Sequence, residues 1–129
     1  MSESMNIFVC AQEDMEVFTK DIASVLGIKL RLASEGEEAF YEFSDQHVVF
    51  TLGEHDFEND RDLNFSDYRY WISVRASDGW GWKERESRRD DFTRLVFEKL
   101  KATQRYSLML VKNLQVKLEE FRPGSITSR

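Results

Sequence analysis

Between residues 28 and 76 four short β-rich runs follow one another, and a stretch of helical period stands on either side of them. That order constrains the fold more than any other feature of the chain. "IKLRLAS" (28–34) sets Ile28, Leu30 and Leu32 against Lys29 and Arg31, the alternation of a half-buried strand. "SEGEE" is a turn. "AFYEFS" (39–44) and "HVVFTLG" (47–53) are two more runs joined by "DQ", a hairpin connection. "YRYWISVRA" (68–76) places Tyr70, Ile72 and Val74 on one face and Arg69, Trp71, Ser73 and Arg75 on the other. Consecutive strands of this kind predict an antiparallel meander.

The flanks complete the order. "NIFVCAQ" (6–12) reads as a strand. In "EDMEVFTKDIASVLG", Val17, Phe18, Ile22, Val25 and Leu26 recur at three- and four-residue steps, the spacing of one helix face. Glu13, Asp14 and Glu16 suit the positive end of the helix dipole, and Gly27 stands where a C-cap needs positive φ. "SDGWGWKERESRR" reads as a turn followed by a charged stretch. "DFTRLVFEKLKATQ" is the second helix, with Phe92, Leu95, Val96 and Leu100 at helical spacing. Ser87 with Asp90 forms a candidate capping box, and Asp90 or Asp91 can equally be the N-cap. "YSLMLVK" (106–112) contains the continuous apolar run of a central strand. "LQVKLEEF" (114–121) alternates Leu114, Val116 and Leu118 and reads as a last strand, with a short helix as the alternative. The expectation is an α+β domain of order β-α-β-β-β-β-α-β-β. Its sheet has six to seven mostly antiparallel strands, two amphipathic helices cover one face, and the other face is partly solvated.

At 129 residues this is one domain, expected to span 1–129 with loose tails at about 1–5 and 122–129. A chain of this size buries enough surface to fold without a disulfide or metal. Cys10 is the only cysteine, so no intramolecular disulfide or cysteine-rich zinc site forms. Its place in "IFVC" predicts a buried thiol. A lone thiol, no secretory leader and no membrane-length apolar run point to a cytoplasmic protein with no membrane association.

The charge is unevenly distributed. "EHDFENDRDLNFSD" (54–67) carries six acids, Glu54, Asp56, Glu58, Asp60, Asp62 and Asp67, against the single Arg61. Its net charge is -5, so the other 115 residues sum to only -1 of the chain's -6. A local negative field steers cationic partners and repels phosphates, so nucleic acid is not the expected ligand. Asp56, Glu58, Asp60, Asp62, Asn64 and Asp67 match the ligand spacing of an EF-hand calcium loop. Arg61, however, occupies the glycine position, Asp67 replaces the long bidentate Glu, and the flanks are strands. No metal or cofactor is expected.

A folded core gains nothing from six mutually repelling carboxylates, whereas a basic partner relieves the repulsion. Phe57, Leu63 and Phe65 punctuate the segment and are read as pins to the core, with Trp71 packed beneath. Tyr68, Tyr70, Trp80 and Trp82 are candidate anchors, because Tyr and Trp are favoured at protein interfaces. "KERESRR" sums to almost nothing with the acids around it and is an ordinary solvated run. Catalytic signals are sparse. His55, beside Glu54 and Asp56, is the one candidate base, and no nucleophile elbow, phosphate loop or zinc-binding helix signature is present.

In size, charge and element order, "NIFVCAQEDMEVFTKDIASVLG", "GEHDFENDRDLNFSDYRYWISV" and "FTRLVFEKLKATQRYSLMLVKN" resemble small acidic bacterial proteins that include the immunity proteins of toxin–immunity systems. The resemblance implies binding without catalysis, by an acidic surface that caps a basic toxin. The departure from it is that the acidity sits in one segment. The expected interface is Glu54, Asp56, Glu58, Asp60, Asp62, Asp67, Tyr68, Tyr70, Trp80 and Trp82. Two other readings stay open: an accessory or regulatory subunit assembling through its sheet face, and a carboxylate- or metal-dependent enzyme.

Overall fold

The computed structural model describes residues 4–35, 38–45, 48–55, 57–59, 63–76 and 82–123, with the backbone alone at 34, 35, 38, 39, 82, 83 and 85. Seven strands form one sheet: β1 Met5–Cys10, β2 Arg31–Glu35, β3 Glu38–Ser44, β4 Val48–Glu54, β5 Tyr70–Ala76, β6 Ser107–Lys112 and β7 Val116–Phe121. Helix α1 (Met15–Leu26) follows β1, a short 3-10 turn η1 (Phe65–Asp67) precedes β5, and α2 (Trp82–Ala102) joins β5 to β6. The fold is α+β in the expected order, and the final segment is a strand.

The sheet order is β2-β3-β4-β5-β1-β6-β7, with every pair antiparallel. β2 to β5 form the expected meander. The N-terminal strand then inserts between β5 and β6, pairing Ile7 with both Ile72 and Leu110. Ser4 and Met5, expected in a loose tail, are held. Met5 is buried, the Ser4 N–H donates to Asn113 Oδ1 at 3.0 Å, and the Asn113 N–H donates to Ser4 O at 2.9 Å.

Both helices lie against one face. The Val17 N–H donates to Asp14 Oδ1 at 3.0 Å, which makes Asp14 the N-cap, and Gly27 closes α1 with φ 69°. Such caps satisfy orphan backbone groups and are each worth about 1 kcal/mol. Phe18 and Ile22 of α1 and Val96, Phe97 and Leu100 of α2 pack on Ile7, Val9, Phe50, Leu52, Ile72 and Leu110. Val17 and Leu95, expected on these faces, are exposed. Each precedes a buried residue by one position, and one step turns the helix about 100°.

α2 begins at Trp82, well before the expected cap near Asp90. Lys, Glu and Arg are good helix formers, and once the packed half has nucleated, each added residue costs little. Apolar periodicity could not reveal a stretch that has none. The run is also not wholly solvated. Arg89 is buried on the same face as Thr93, its guanidinium 3.0 Å from Asp90.

The opposite face is covered over β1 and β6. Phe8 of β1 and Met109 and Val111 of β6 point away from the helices and pack with Leu63, Phe65 and Tyr68. β1 and β6 are therefore buried on both faces, which accounts for their unbroken apolar runs. Buried Asn6 on this face accepts the Trp71 Nε1–H at 2.9 Å and donates to Ser4 Oγ at 3.2 Å. β6 turns into β7 through Asn113 and Leu114, both at positive φ (54° and 59°), with the Gln115 N–H donating to Lys112 O at 3.0 Å. Leu tolerates that conformation poorly, but the Leu114 side chain packs against the second cluster, and that burial offsets the strain.

The edge strands depart from the expected register. Leu32 on β2 and Val116 and Leu118 on β7 are exposed. In β7 a register shift between Leu110 and Val111 breaks the pleat. Glu119 then pairs with Leu110 and Lys117 with Val111, and Leu118 is left at the irregularity.

Candidate partner-docking surface

The acidic segment begins at Glu54, the end of β4, and β5 begins at Tyr70; between them Phe57, Leu63, Phe65 and Tyr68 pack on the second sheet face. Its ends are adjacent, because Glu54 pairs with Tyr70 in the β4–β5 ladder. Phe57 and Phe65 pin it as expected. Phe65 lies 4.7 Å from the Phe8 ring, and Phe57 meets Trp71 edge-on at 5.0 Å.

His55 ties the two ends together. The Phe57 N–H donates to His55 Nδ1 at 3.1 Å, so the ring proton sits on Nε2 and is donated to Tyr68 O at 2.6 Å. The ring stacks on Phe57 at 5.2 Å and meets Phe8 edge-on at 5.0 Å. Both ring nitrogens face backbone groups, a geometry for holding a loop in place. The position read as a candidate base is thus occupied by a structural clamp. Two side chains brace the turn further, with the Ser66 N–H donating to Asn59 Oδ1 at 2.9 Å and Asn64 Nδ2 to Asp67 Oδ2 at 2.8 Å.

Tyr68 ends the segment with its ring buried and its hydroxyl donating to Glu120 Oε2 on β7 at 3.0 Å. Burial, then this hydrogen bond and the Glu120 charge, push the phenol far above its ordinary value, against a smaller opposing pull from Arg122. Burial alone would raise the Glu120 carboxyl. The Tyr68 bond, with Lys117 and Arg122, outweighs it and holds the group below the ordinary carboxylate value.

The expected interface residues therefore separate. Glu54, Glu58 and Asp67 are exposed on this segment. Glu54 receives the Arg69 Nε–H at 2.9 Å, a bond that raises the guanidinium's pKa. Tyr68 and Tyr70 are not surface anchors. Tyr70 is fully buried on the helix side, stacked on Phe18 at 4.2 Å, with its hydroxyl donating to Glu13 O. The reason is the pleat, which turns Tyr70 to the face that carries α1 and α2. Asp56, Asp60, Asp62 and Trp80 lie outside the described residues, as does the side chain of Trp82 at the start of α2. His47 and residues 1–3 and 124–129 of the expected tails are likewise outside them.

Cys10 corrects a further expectation. It is exposed, because it stands at the end of β1 beyond the cover of either cluster. With Glu54, His55, Phe57, Asp67 and Arg69 it lines a cleft of about 500 Å³ at the base of the segment. Residues as distant in sequence as Cys10, Arg69 and Glu120 meet around this segment, and no local signal announces that. Among the described residues no three His, Cys, Asp or Glu side chains gather as a metal site. None of their helices is long and apolar enough to cross a membrane.

Sheet, helices and pinned residues together define the class: an α+β domain whose β4–β5 connection is acidic in sequence and packs its described aromatic residues on one face of the sheet. Compared with protein families, curated proteins and solved structures, the chain matches none.

Proposed function

We propose that this protein is a non-catalytic binding module that docks a basic protein partner on the acidic segment 54–67, in the manner of an immunity protein neutralising a toxin in the cytoplasm. The observation that carries the reading is the pairing of local charge with rigid support. The segment holds a net -5 of the chain's -6, and its underside is held by buried Leu63, Phe65 and Tyr68 and by the His55 clamp. Among the described residues Glu54, Glu58 and Asp67 stand on this held backbone and lose little entropy on binding, and the segment's field speeds association. The other 115 residues sum to only -1.

The test begins with capture from the native host at low and high salt. The captured protein is then measured against the wild type and a variant with Asp56, Glu58, Asp60 and Asp62 all changed to Lys. Slower association and a lost salt dependence are expected. Binding indifferent to that change rules the segment out as the interface. The immunity reading further requires that the captured protein be toxic when expressed alone and harmless when co-expressed with this chain.

One observation favours the second reading, assembly with other subunits through the sheet. The β7 edge presents Val116 and Leu118 at 53% and 40% exposure. Light scattering that shows a salt-insensitive oligomer would support it.

A further inference from the structure

We infer that the cleft at the base of the acidic segment receives a single guanidinium side chain of the partner, an inference that rests on the docking reading above. The cleft measures about 500 Å³, within the range of sites that hold small organic groups. Its walls come from four places in the chain: Cys10 at the end of β1, Glu54 at the end of β4, His55 and Phe57 at the start of the segment, and Asp67 and Arg69 just before β5.

The lining chemistry selects the occupant. Glu54 already holds Arg69, which also donates to Glu13 O at 3.3 Å, so the wall cation is engaged and an anionic occupant finds little to attract it. Asp67 differs. Its bond among the described residues comes from the neutral amide of Asn64, and no cation stands against it there. Among the described lining residues it is the one charge without a counter-ion, and a purely apolar occupant would desolvate it at a cost. The rings of His55 and Phe57, stacked on each other 24° from parallel, line the same cleft. A flat cation that stacks on an aromatic ring and meets a carboxylate with two parallel N–H donors satisfies both walls. Guanidinium has that shape. An ammonium is a compact, strongly hydrated point charge and satisfies only the carboxylate.

Cys10 supplies the readout, because it is the only cysteine of the chain, is exposed and lines the cleft. The full-length protein is alkylated with iodoacetamide in the presence of arginine methylamide. The uncharged isostere citrulline methylamide serves as control. Saturable slowing of Cys10 alkylation by the arginine compound, and none by citrulline, is expected. The Asp67→Asn variant keeps an acceptor for Asn64 and should fold with an unchanged melting temperature. Its protection should be about tenfold weaker, the loss of one charge-assisted pair. No protection by arginine methylamide, or equal protection by citrulline methylamide, overturns the inference. The two proposals fail separately. Partner binding that needs the charges at Asp56, Glu58, Asp60 and Asp62, together with an unprotected Cys10, leaves the docking segment and removes the cleft. A protected Cys10 with a charge-indifferent partner keeps a guanidinium cleft and removes the docking segment.

Discussion

The Tyr68 hydroxyl donates to Glu120 Oε2 at 3.0 Å, joining the end of the acidic segment to an edge strand 52 residues later in the chain. Lys117 and Arg122 stand on the same carboxylate at 3.5 and 3.3 Å. The loop is thus fastened to β7 by a small polar network as well as by its rings.

Tyr68→Phe should lower stability by about 1 kcal/mol at neutral pH, the net worth of one hydrogen bond whose acceptor keeps other partners. The pH dependence has a definite sign. Glu120 titrates below its ordinary 4.5 in the folded protein. Its contribution is therefore present above that value and is lost as pH falls through the lowered one. Urea denaturation of wild type and variant across the acid range should show the difference between them shrinking as pH drops.

His55→Ala removes the acceptor for the Phe57 N–H, the donor to Tyr68 O and a ring packed on Phe8. A loss of about 2–4 kcal/mol is expected. Hydrogen exchange gives the sharper readout. The Phe57 amide should lose protection while amides of β1 and β6 keep most of theirs. Uniform loss across the sheet would show that the segment and the core unfold as one unit.

Phe65→Ala and Leu118→Ala compare two apolar residues that the sequence alone does not rank. Phe65 is buried against Phe8, and its truncation should cost about 3–5 kcal/mol. Leu118 is 40% exposed, and its truncation should stay within about 1 kcal/mol. Paired thermal or urea unfolding curves measure both.

Alkaline unfolding should follow the buried phenols. Burial pushes Tyr106 up to about 12, only partly opposed by Arg105. A phenol raised above its ordinary value of 10 stabilises the fold fully below pH 10, and that stability is lost as pH climbs toward 12. Phenolate absorbance should rise together with loss of helix signal. Tyr106→Phe should shift the midpoint to higher pH.

Much of the architecture was readable from periodicity. The Gly27 cap, the meander from β2 to β5, and the pinning of the segment by Phe57 and Phe65 all follow from residue type and spacing, which report local conformation and burial. The charged half of α2 was not readable, because a helix stretch without an apolar stripe leaves no period to detect. Cys10, Leu32, Val17 and Leu95 were misplaced for a related reason. An apolar residue in a regular element is buried only if another element reaches over it, and at strand ends, sheet edges and helix flanks nothing does.

The candidate site divides along the same line. Sequence by itself determined that residues 54–67 carry six acids against one base and that aromatics punctuate them, since both are facts of composition. Only the tertiary structure decided which groups stand around that charge. Insertion of β1 between β5 and β6 brings Cys10 and Phe8 under the segment, and the hairpin after β6 brings Glu120 to Tyr68. The pleat sends Tyr70 to the helix face and away from any partner. These outcomes depend on which strands pair and which face each residue takes. Free energy summed over the whole sheet sets that choice, and no short window of the chain contains it.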